Sequence, residues 1–75
     1  MTDLGSRIRH WRVEAQLSRE QLAIAVGVTA SAVTSWETGW SVPGTQRLMA
    51  VAEACEVPMH VFWGRIPDLE STSAQ

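Results

Sequence analysis

SREQLAIAVGVTASAVTSWETG, residues 18–39, decides how this chain folds. Ser18 stands three residues before Gln21, the spacing of a capping box, so a helix is expected to start there. Leu22, Ala23 and Val26 then share one face, which carries that helix to about Val26. Gly27 stops it by supplying the left-handed conformation that a sharp turn needs. Thr29 can cap the next helix, Gly39 ends it near Thr38, and Pro43 confirms the break.

Working outward, Leu4, Ile8, Trp11 and Ala15 recur at helical spacing and predict a helix over about 4–15. Leu17 is the apolar link into the next helix. Downstream, Leu48, Val51, Ala52 and Cys55 form one stripe of a helix over about 45–55. Pro58 suits the first turn of a short fifth helix reaching Trp63, with Gly64 after it. Asp68 to Gln75 is polar and reads as a loose tail. The expectation is an all-α, compact five-helix domain over residues 1–65, with its helix-turn-helix at 18–37 and a C-terminal tail over 66–75. No internal repeat, low-complexity tract or long strand-like alternation interrupts this pattern.

Composition narrows the choice of class. Seventy-five residues allow one domain, and 45% hydrophobic residues is ordinary for a folded one. Cys55 is the only cysteine, so a disulfide within the chain is excluded. A lone thiol without a signal peptide suggests a reducing, intracellular setting. No apolar run approaches the roughly 18 residues of a membrane span. His10 and His60 with one cysteine lack a metal-ligand spacing, and no Ser, His and acid pattern suggests an enzyme. No metal, cofactor or membrane is expected, and no small-molecule ligand either, since no second domain is expected to hold one.

Six basic residues, all arginine, face eight acids for a net charge of −2. The balance is uneven. Residues 1–35 carry Arg7, Arg9, Arg12 and Arg19 against Asp3, Glu14 and Glu20, whereas residues 36–75 are acidic. An anionic partner should therefore meet the N-terminal half.

Two short helices joined by a glycine turn are the supersecondary unit used to bind DNA. At 100° per residue, Thr29, Val33 and Trp36 fall on one side of the second helix. Ser31, Thr34, Ser35 and Thr38 fall on the other. Short hydroxyl side chains allow close approach and can bond to base edges in a major groove. The same face would suit a helix of low intrinsic propensity packed on a protein neighbour. Periodicity alone does not separate the two.

The whole pattern resembles the helix-turn-helix of the phage repressor and Cro family, also called the xenobiotic-response-element family. The resemblance is carried by Leu22-Ala23, Val26-Gly27-Val28, Val33, Trp36, Glu37 and Gly39, and extends through GSRIRHWR and PGTQRLMAVAEACEVPMHVF. It implies a lambda-repressor-like fold and a transcriptional regulator, a repressor or small operon controller, that binds double-stranded DNA. It also implies a cytoplasmic, nucleoid-associated protein of a prokaryote or phage. An interaction module that keeps the fold without DNA is the other class, favoured by the net negative charge.

Residue by residue, the resemblance implies that Arg19 faces a phosphate from the start of its helix, where family members commonly carry glutamine. Thr29, Ala30, Ser31 and Ser35 would reach phosphates or base edges, Ala30 through its methyl, with Thr34 beside them on the hydroxyl face. Arg9, and Arg7 with it, would add phosphate contacts. The family's loop after the recognition helix is often basic and lies near the DNA backbone; here it is Trp40, Ser41 and Val42, a departure that leaves Trp40 either at DNA or in some other role. Arg12 and Glu37 match positions that pair in a structural salt bridge.

Cys55 reads as a small buried hydrophobe and Trp11 and Trp36 as core, while Trp40 and Trp63 are harder to bury. In the fifth helix, Phe62 with Val57 ahead of it would suffice to close the core. Met59, Val61 and Trp63 are then surplus, because five residues cannot all turn inward. With Ile66 and Leu69 following, they predict an exposed apolar patch and a homodimer joined at the C-terminal end.

Overall fold

Ser18 and Thr29 cap the two central helices where the spacing predicts them. A computed structural model describes residues 4–62 of the chain. Among these residues there are four α-helices: α1 (Leu4–Glu14), α2 (Arg19–Val26), α3 (Ala30–Thr38) and α4 (Thr45–Cys55). A single 3-10 turn, Met59–Phe62, follows.

The capping box before α2 is complete. The Gln21 N–H donates to Ser18 Oγ at 3.0 Å, and the Ser18 N–H donates to Gln21 Oε1 at 2.8 Å. Gly27 adopts φ +89°, and both its N–H and that of Val28 donate to the Ala23 carbonyl. That closes the end of α2 and turns the chain sharply into α3. Thr29 Oγ1 accepts from the Ala32 N–H at 3.1 Å and so caps α3.

The helices bury one core. Ile8 from α1, Leu22 and Ala23 from α2, Val33 and Trp36 from α3, and Leu48, Val51, Ala52 and Cys55 from α4 are all buried. Phe62 closes the core from the C-terminal turn. Trp11 is half-buried against the edge of this core rather than within it. Burial pushes the Cys55 thiol above its ordinary range, opposed by the positive charge of Arg12.

The fifth helix is corrected by the structure. Residues 59–62 form only a 3-10 turn, so the described residues hold four α-helices rather than the five expected. The Arg7 Nη1 donates to the Val61 carbonyl at 3.1 Å. That carbonyl would otherwise be an acceptor for the next turn of an α-helix. The tight turn also places Val61 and Phe62 inside together. Val61 is therefore a core residue, contrary to its expected place on an exposed patch. Met59 is half-buried and His60 exposed. Trp63, Ile66, Leu69 and the expected tail at 66–75 lie outside the described residues.

Candidate nucleic-acid interface

The interface begins with what holds α3 in place. Glu37 sits in the last turn of α3, and its side chain is only 1% exposed. A carboxylate so buried is costly without partners. Arg12 supplies them from α1: its Nε donates to Glu37 Oε2 at 2.6 Å and its Nη2 to Oε1 at 3.3 Å. The Arg12 Nη1 donates to the Leu17 carbonyl at 2.8 Å. The expected Arg12–Glu37 pair is thus present. All three nitrogens of Arg12 are engaged inside the protein, so this arginine is structural.

Gly5 is a positioning residue that sequence reasoning missed. A Cβ built on it would lie 2.5 Å from the Trp36 carbonyl oxygen and 2.7 Å from that of Glu37. Only glycine lets α1 pass this close to the end of α3. The available signal was a glycine inside an otherwise helical pattern, which usually has a packing reason.

Arg19 opens α2 and carries a second surprise. Its Nε donates to Glu37 Oε1 at 3.1 Å, while its side chain stays 43% exposed. The residue expected to face phosphate is also the second cation on the buried carboxylate.

The outer side of α3 is open and polar. Ser31 is exposed, and Thr34 and Ser35 are half-buried. Among the described residues nothing bonds the hydroxyls of these three. Thr38 differs, because its hydroxyl donates back to the Thr34 carbonyl at 2.9 Å. Thr29 is exposed and Ala30 half-buried at the helix start. Beyond α3, the Ser41 N–H donates to the Ser35 carbonyl at 3.2 Å and ties the loop to the helix. Trp40, at 86% exposure, and Val42 project from that loop into solvent.

The N-terminal arginines divide into two groups. Arg7 and Arg12 are buried, so Arg7 is withdrawn from the surface role expected of it. Arg9 is exposed and Arg19 partly so. His10, next to Arg9 in the chain, is exposed, with its ring edge-on to Trp11 at 4.8 Å. Among the described residues no group of three or more His, Cys, Asp or Glu could hold a metal ion. No helix among them is long and apolar enough to cross a membrane.

This geometry has relatives. Residues 3–61 match the family model described as a helix-turn-helix domain. An uncharacterized HTH-type transcriptional regulator of Sinorhizobium fredii is 35% identical over 65 residues, covering 87% of this chain and 46% of its own length. Another, from Sinorhizobium medicae, is 31% identical over 64 residues, covering 85% and 46%. The chain therefore spans about half the length of the curated relatives it matches. Among solved structures, the P22 c2 repressor in complex with a synthetic operator superposes with a TM-score of 0.79 at 25% identity, covering 85% of this chain and 97% of that one. The SinR protein, from its complex with SinI, gives 0.74 at 26% identity, covering 95% and 75%.

Proposed function

The chain belongs to the helix-turn-helix domain family, and from that premise we propose that it is a sequence-specific regulator of transcription that binds double-stranded DNA through α3. The carrying observation is the outer face of α3. Its Ser31, Thr34 and Ser35 hydroxyls are uncommitted, while its inner face is locked by Glu37 and the core. A rigidly held helix with free donors and acceptors suits base-edge readout. The likeness to a repressor bound to its operator supports the same reading.

In this reading Ser31, Thr34 and Ser35 meet base edges and Ala30 a thymine methyl. Thr29, Arg9 and Arg19 meet phosphates, and Trp40 lies along the backbone beside them. Residues 1–65 form the DNA-binding unit and 66–75 a tail. With Arg9 and Arg19 as the two arginines on phosphate, the slope of log K against log salt is only about −2 per subunit.

So few charges favour a homodimer on a palindromic site, with the two α3 helices about 34 Å apart. Met59 and Met49 border an apolar groove of about 420 Å³ between α4 and the C-terminal turn. The proposed dimer face runs from Met59 into Trp63 and Ile66, without Val61.

Fluorescence anisotropy with duplexes from upstream of the protein's own gene tests the function. A site bound roughly 10³-fold or more tighter than scrambled duplex is expected. Binding to no duplex would instead leave the interaction-module reading, and equal binding to every duplex would overturn sequence specificity. Sedimentation of wild type and Trp63→Glu tests the dimer: the wild type should sediment as a dimer and the variant as a monomer. A monomeric wild type at tens of micromolar would overturn it.

A further inference from the structure

We infer that Glu37 is a positioning residue for the DNA contact as well as a structural one: it grips Arg19 by Nε and presents the other edge of that guanidinium to a phosphate. The inference rests on the reading of the chain as a DNA-binding protein.

Three observations carry it. First, the carboxylate's charge is already met. Arg12 binds both oxygens of Glu37, with Nε on Oε2 and Nη2 on Oε1. Arg19 adds a second positive charge to a site with one negative charge, so the cluster keeps a net +1. Second, that surplus charge sits at the surface. The Arg12 side chain is 11% exposed and the Arg19 side chain 43%. Third, the nitrogens of Arg19 are divided. Nε is bonded to Glu37 Oε1 at 3.1 Å, and no described residue accepts from Nη1 or Nη2.

Guanidinium geometry supplies the rest. The group is planar, so fixing Nε fixes the direction of the Nη1–Nη2 edge. That edge is a two-pronged donor matched to a phosphate's oxygens. Glu37 thereby removes much of the side-chain freedom that Arg19 would otherwise lose on binding. The same carboxylate ties α3 to α1 through Arg12. One residue thus sets both the orientation of the recognition helix and the direction of the phosphate contact, which keeps the two in register. A lysine at position 19 would retain the charge but not the arrangement, because one ammonium on a flexible stem cannot be clamped at one nitrogen and present a fork from two others.

The test is DNA affinity against salt for the wild type, Arg19→Lys and Arg19→Ala, with thermal unfolding to show that each is folded. Position 19 is partly exposed, so both variants are expected to fold. Arg19→Ala should lower the magnitude of the salt slope by about 0.9. Arg19→Lys should keep the wild-type slope yet bind about three- to tenfold more weakly. In ¹⁵N NMR the Arg19 Nε–H signal should be protected in the free protein and remain protected on DNA. Arg19→Lys binding as tightly as wild type would overturn the inference, as would an unchanged slope in Arg19→Ala. Either result would leave the function standing if the wild type still binds DNA. A wild type that binds no duplex would overturn the function and this inference together.

Discussion

Val33, Trp36 and Glu37 on the inner side of α3 are packed or bonded, while Ser31, Thr34 and Ser35 on its outer side have hydroxyls that no described residue uses. The inner side is crowded to the point that Gly5 must lack a Cβ. The outer side runs into a loop whose Trp40 and Val42 are exposed. One short helix thus carries a structural face and an uncommitted face. Substitutions on the inner face should act on stability. On the outer face they should act on what the helix binds.

The sharpest break in that division is at Glu37. Glu37→Ala leaves Arg12 buried with one acceptor, the Leu17 carbonyl. Breaking a buried pair in this way should cost about 3–5 kcal/mol, read by denaturant unfolding. A loss under about 1 kcal/mol would mean that the network does not hold α3. Gly5→Ala comes next. The overlap with the Trp36 and Glu37 carbonyls should cost about 1–3 kcal/mol, offset in part by about 1 kcal/mol of helix propensity. A more stable Gly5→Ala protein would show that α1 and α3 can separate freely.

Ser35→Ala probes the outer face. Unfolding should change by less than about 0.5 kcal/mol, while preference at one or two base pairs changes by about 1–3 kcal/mol. Equal loss on every duplex would place Ser35 on the backbone instead. The smallest effect lies outside both faces. Gln16 has φ +61° in the turn after α1, where glycine is easier to accommodate. Gln16→Gly should stabilise by about 0.5–1 kcal/mol with DNA affinity unchanged, checked by thermal melting and anisotropy.

Much of this was legible in the residues because it is local. The Ser18 and Thr29 caps and the Gly27 and Gly39 stops act within four residues of themselves, so their spacing alone bounds α2 and α3. The stripes on α1 and α4 follow from helical periodicity in the same way. The C-terminal turn misled because four residues hold too little periodic signal to separate an α-turn from a 3-10 turn. Its outcome also depends on Arg7, 54 positions away, which bonds the Val61 carbonyl. Counting apolar side chains against a helix's inward face placed Val61 outside; a tighter turn put it inside.

The chain's own sequence therefore determined four helices, the caps of α2 and α3, the glycine turn and the hydroxyl face of α3, since each depends on neighbours a few residues apart. Tertiary structure decided which charges are spent. Arg7, Arg9, Arg12 and Arg19 look alike along the chain, yet Arg7 and Arg12 are buried, Arg9 is exposed and Arg19 is shared between Glu37 and the surface. That division arises only where α1 meets α2, α3 and the turn at 59–62, because a charge leaves water only when packing brings it a partner.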